Sequence, residues 1–79
     1  MEYDKDKVDE VTLAIMWLVT QTDKYGSRVW KTFDWGTLDR LHEKGLISDP
    51  KRKTKSVALT DEALKLSETL FRKMFGKAV

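Results

Sequence analysis

The chain has 79 residues, 41% of them hydrophobic and 35% charged, with one proline, four glycines and a formal net charge of +2. That describes one small globular domain, too short for a second core and too apolar for wholesale disorder. No cysteine is present, which excludes disulfide staples, thiol catalysis and Cys-ligated zinc, and points to a reducing, cytoplasmic setting.

The longest uncharged run, Val11 to Thr22, has 12 residues, against the roughly 20 that a spanning helix needs. Acidic residues precede it rather than a basic segment, so neither membrane insertion nor secretion is expected. Residues 1–5 are expected to fray, with Asp6 or Asp9 opening the first helix, because acids in a first turn complement the helix dipole. Val8, Val11, Ile15, Leu18 and Val19 share one helical face, while Leu13, Met16 and Trp17 fill much of the other. A helix apolar nearly all round is either wrapped by its own domain or shared with a second subunit. Asp23 to Gly26 is expected to end it, with Gly26 in the left-handed position.

Ser27 to Phe33 reads as a short strand or extended connector, with one helical turn as the alternative. Asp34 is a good N-cap for a second helix running to about Lys44, with Trp35, Leu38, Leu41 and His42 on one side and Gly45 at its C′ position. Ser48-Asp49-Pro50 is a turn, and Lys55 to Leu59 alternates so that Val57 and Leu59 point inward from a half-buried strand. Thr60 caps a last helix with Asp61 and Glu62 in its first turn. Leu64, Phe71 and Phe75 form its apolar stripe, Ala63, Leu66, Leu70 and Met74 widen it, and Gly76 stops it. The expected fold is α+β and mostly helical: helix, extended connector, helix, β-hairpin, helix, the outline of a winged helix.

Specific residues support that outline. Leu38-Asp39-Arg40-Leu41-His42-Glu43-Lys44-Gly45-Leu46-Ile47 resembles the end of the recognition helix in MarR-like winged-helix regulators. Asp49 to Lys55 resembles their wing tip, and Val57 to Ala63 their return strand entering the next helix. The resemblance spans residues 38–70 and departs at Ala63, where those regulators usually carry glycine. It implies a DNA-binding, transcription-regulatory scaffold, but a DNA-reading pair needs a supporting helix before the recognition helix. Only the 11 residues from Asp23 to Phe33 are free to supply one. The whole chain is also similar to a small uncharacterised bacterial family, through its acidic start and its Phe-Asp-Trp…Leu-Asp-Arg-Leu-His-Glu-Lys-Gly core; no activity comes with that likeness.

Charge marks the candidate interface. Residues 51–56 hold Lys51, Arg52, Lys53 and Lys55 with no acid, and the tail adds Arg72, Lys73 and Lys77. On a wing, these four bases would contact the phosphates of double-stranded DNA. On the second helix, Thr37, Arg40 and Lys44 are the candidate base-edge and phosphate contacts, opposed by Asp39 and Glu43. The alternative is a protein-interaction module that kept the scaffold and lost nucleic acid. A homodimer through the first and last helices is expected, since both apolar faces exceed what one small domain covers.

Other constellations carry less. His42 with Asp39 offers two ligands and no third, so no metal and no cofactor is expected. The acid pairs Asp9/Glu10 and Asp61/Glu62 read as charges that complement helix dipoles, and no catalytic residues can be assembled. Trp17, Trp30, Phe33 and Trp35 read as a core and interface cluster rather than a base-stacking platform.

Overall fold

The computed structural model describes residues 1–78. Helix α1 spans Lys5–Val19, strand β1 Gln21–Asp23, strand β2 Gly26–Trp30, helix α2 Trp35–Glu43, strand β3 Ser56–Leu59 and helix α3 Asp61–Phe75. The result is an α+β fold, about half helical, with a three-stranded antiparallel sheet in the order β1-β2-β3. Among the described residues no helix is long and apolar enough to cross a membrane.

Local chemistry places each boundary. Asp4, not Asp6 or Asp9, opens α1, its side chain accepting from the Lys7 N–H at 3.0 Å. The Thr20 hydroxyl donates to the Met16 carbonyl at 2.6 Å, satisfying one orphan acceptor of the last turn. Asp23 to Gly26 does not end this helix but turns a β-hairpin. Asp23 pairs with Gly26 across Lys24 and Tyr25, Asp23 Oδ1 accepts from the Tyr25 N–H at 2.8 Å, and Gly26 takes φ +125°. The β-branched Val19, Thr20 and Thr22 favour this early switch to extended backbone.

Asp34 caps α2 by accepting from both the N–H and the hydroxyl of Thr37 at 3.0 Å. At the other end Gly45 adopts φ +77°, Gly45 N–H reaches the His42 carbonyl and Leu46 N–H the Leu41 carbonyl. These are the paired bonds of a Schellman terminus. Thr60 caps α3 through the Ala63 N–H at 3.0 Å, and α3 ends where Gly76 N–H bonds the Arg72 carbonyl.

The helices cover one face of the sheet. Leu13, Met16, Val29, Leu38, Leu41, Ile47, Val57, Leu59 and Ala63 form the core, with Phe33, Leu46 and Leu70 packed against it. Val57 and Leu59 point inward as their alternation indicates. On α1, however, the buried positions are Asp9, Leu13, Ala14 and Met16. The Val8, Val11, Ile15, Leu18 and Val19 stripe is left half-buried or exposed, with Leu18 63% exposed. A helix apolar on two sides can bury only one of them in a single small domain, and α3 packs on the Leu13/Met16 side. Trp17 meets Phe71 with ring centroids 5.0 Å apart, and Phe71 meets Phe75 at 5.3 Å.

The expected hairpin across residues 46–59 is reduced. Its first leg is one isolated bridge, Ile47 to Leu59, flanked by bonds from Ser48 N–H to the Ala58 carbonyl and from Thr60 N–H to the Leu46 carbonyl. The full hairpin is instead β1–β2, which occupies the chain where a supporting helix would stand.

Candidate nucleic-acid interface

Residues 49–55 form a tied-down loop beside the sheet. Pro50 is buried, Asp49 Oδ1 accepts from the Lys51 N–H at 2.9 Å, and the Asp49 carbonyl accepts from the Arg52 N–H. Lys31, just past β2, anchors the loop twice: its N–H donates to the Lys55 carbonyl and its Nζ to the Arg52 carbonyl. The loop's backbone is thereby tied to its neighbours, while Lys51, Arg52, Lys53 and Lys55 all remain exposed. Among the described residues none of these four makes an ion pair; the pairs are Arg40–Asp9, Lys44–Asp6, Lys44–Asp9 and Arg72–Glu68.

The sheet's open face adjoins this loop. Strand β2 alternates so that Ser27 and Val29 are buried while Arg28 and Trp30 face outward. Arg28 donates from Nε to Ser56 Oγ at 2.7 Å and from Nη2 to the Ser56 carbonyl at 3.0 Å. Trp30 pairs with Ser56 in register and is 54% exposed. Trp35, opening α2, is also exposed. Of the four aromatics expected in one cluster, only Trp17 and Phe33 are part of the packed interior. A strand only half-covered by helices must send every second side chain outward, whatever its apolar area.

Helix α2 takes no part in this surface as expected from sequence. Thr37 is fully buried, its hydroxyl donating to Asp34 and accepting from Arg40 Nη2 at 3.1 Å. Arg40 and Lys44 turn toward α1 and converge on Asp9. Arg40 Nη2 lies 2.8 Å and Lys44 Nζ 2.9 Å from its carboxylate, and Lys44 also meets Asp6 at 3.2 Å. Burial of the Asp9 carboxyl would raise its pKa, but the donors from Arg40 and Lys44 outweigh that and hold it below the ordinary carboxylate value. The same hydrogen bonds raise both cations above theirs. Asp9 is therefore a buried clamp between α1 and α2 rather than a charge complementing the helix dipole. Its position four residues before Leu13, on the buried face, was the available sign that a cation must come to meet it.

His42 is exposed at its helix end, with Nδ1 3.0 Å from the Ile47 carbonyl. Among the described residues no group of three His, Asp or Glu side chains gathers as a metal site. The structure thus brings together four of the seven expected contacts, Lys51, Arg52, Lys53 and Lys55. It turns Thr37, Arg40 and Lys44 toward internal partners, and it places Arg28, Trp30 and Lys31 beside the basic loop.

Residues 4–77 match the model of a family described as "Domain of unknown function (DUF6429)". The chain is 53% identical over 77 residues to "Uncharacterized protein y4hR" of Sinorhizobium fredii, covering 98% of this chain and all of that relative. No solved structure matches. Neither match reaches the MarR-like regulators that residues 38–70 resemble; the likeness of the whole chain to a small uncharacterised family is the one that these matches meet. With nearly its full length inside the family model, the chain belongs to the DUF6429 family.

Proposed function

We propose that this protein binds nucleic acid, holding the phosphate backbone with the basic loop 51–55 and the neighbouring Arg28. One observation carries the reading. Four cations stand exposed and without carboxylate partners on a loop whose backbone is fixed, whereas Arg40 and Lys44 are consumed by internal ion pairs. Fixed, unpaired cations release counterions from a polyanion without first giving up an internal partner. Base-edge reading of double-stranded DNA by α2, as in a regulatory winged helix, has no support from the buried Thr37 or the clamped Arg40. The role is one of binding, not catalysis.

The test is fluorescence anisotropy of labelled DNA across a salt series. Four phosphate contacts give a slope of log affinity against log salt of about −3.6, or a loss of about 150-fold between roughly 50 and 200 mM salt. Reversing Lys51, Arg52, Lys53 and Lys55 to Glu takes the net charge from +2 to −6 (two units at each of four positions) and should abolish binding. Reversing the exposed Lys5, Lys65, Lys73 and Lys77, all outside the loop, changes net charge equally and should retain most of it. No binding at low salt, or equal loss in both variants, refutes the reading.

A second reading has its own observation: the uncovered stripe of α1 leaves Leu18 and Val19 at 63% and 48% exposure, and α3 leaves Leu66 and Phe75 at 41% and 47%. We propose that a second copy of the chain covers it, as in an interaction module or a dimeric binder. An apolar stripe is its own complement about a two-fold axis. Sedimentation equilibrium should show a dimer that Leu18→Glu dissociates; a wild-type monomer at every concentration refutes it.

A further inference from the structure

The outer face of the sheet holds a shallow pocket of about 140 Å³ lined by Gln21, Asp23, Arg28, Val29, Trp30 and Ser56. Antiparallel register puts Gln21 opposite Arg28, Asp23 opposite Gly26 and Trp30 opposite Ser56. One aromatic ring, one guanidinium, one amide and one carboxylate therefore stand on the same face. Arg28 is fixed through Nε and Nη2 on Ser56, and Asp23 Oδ1 is taken by the Tyr25 N–H. Among the described residues Arg28 Nη1, Asp23 Oδ2 and the Gln21 amide have no side-chain hydrogen bond.

The geometry points to a site for an unpaired nucleobase, and so to a preference for single-stranded over duplex nucleic acid; this rests on the backbone reading above. An exposed indole offers a stacking surface to any base whose own face is free. In a duplex both faces are already stacked, so Trp30 has nothing to receive. The polar groups fit a base edge better than a phosphate. The Asp23 carboxylate repels a phosphate but accepts from an exocyclic amino group, and the Gln21 amide both donates and accepts. Phosphates on either side of the base fall to Arg28 and to Lys51, Arg52, Lys53 and Lys55 at the rim. Asp23 also sets an order among bases: cytosine, with an amino group, should bind above thymine, which has none.

Electrostatics alone cannot mimic this result, since the higher charge density of a duplex favours it for a purely cationic surface. Anisotropy at one low salt concentration, with oligo(dC), oligo(dT), oligo(rC) and a duplex of equal length, gives the readout; dC against rC separates DNA from RNA as the source of the strand. The single strands should bind tighter than the duplex. Trp30→Ala should weaken single-strand binding about 10-fold or more, weaken duplex binding far less, and be largely rescued by Trp30→Phe. Asp23→Asn should narrow the dC-to-dT ratio. Circular dichroism checks that the variants fold, which the exposure of Trp30 favours. Duplex bound as tightly as single strands, with Trp30→Ala silent, overturns the base site and leaves the backbone reading standing. No binding of any oligonucleotide overturns both.

Discussion

Replacing Asp9 by Asn isolates the energetics of the clamp between α1 and α2. The carboxylate is 2% exposed and accepts from Arg40 Nε at 2.9 and 3.1 Å and from Lys44 Nζ at 2.9 Å, with Arg40 Nη2 at 2.8 Å. An amide of the same shape removes the charge and one acceptor, leaving two cations facing a neutral group. Breaking a fully buried pair costs about 3–5 kcal/mol. Here the Arg40 and Lys44 side chains keep 22% and 42% exposure, so both cations can turn to water, and the cost falls to about 2 kcal/mol. For a domain of this size that lowers the melting temperature by about 8–16 °C.

Urea unfolding followed by circular dichroism should show a lower midpoint at unchanged slope. The pH dependence carries a sign. Asp9 titrates below its unfolded value in the native state, so its contribution is complete above about pH 4 and is lost as pH falls through the folded pKa. The gap between wild type and Asp9→Asn should therefore be constant near neutrality and close in acid. A variant within about 0.5 kcal/mol of wild type at neutral pH, or a gap that widens in acid, would refute the clamp.

Other substitutions test the rest of the frame by the same melts. Leu38→Ala empties a fully buried position and should cost about 2–5 kcal/mol. Gly45→Ala places a side chain at φ +77° and should cost about 1–2 kcal/mol, although a Cβ there meets nothing within 4 Å. Thr60→Ala removes the acceptor for the Ala63 N–H at a cost of about 1 kcal/mol. Charge reversal of the basic loop, in contrast, should move stability by no more than about 0.5 kcal/mol, since those side chains are exposed and unpaired; a large loss there would mean the loop is structural.

Features set within a few residues of one another were legible in the chain. Asp34 and Thr60 were legible as caps because each accepts from an N–H three residues on. Gly45 was legible as a terminus because only a left-handed residue closes that turn. Val57 and Leu59 declared the inner side of β3 by alternation, and the basic run at 51–55 declared itself by composition. Tertiary structure decided what depends on partners far along the chain. Asp9 finds Arg40 across 31 residues and Lys44 across 35, and those bonds turn both cations toward α1. Two apolar sides of α1 competed for burial, and packing against α3 chose Leu13 and Met16. Trp30, core-like by residue type, stands exposed because the helices cover only one face of the sheet, and Trp35 stands exposed in the first turn of α2. Periodicity and caps follow from bonds within a turn, but which face is covered, and which charge is spent inside, depends on the summed packing of every element at once.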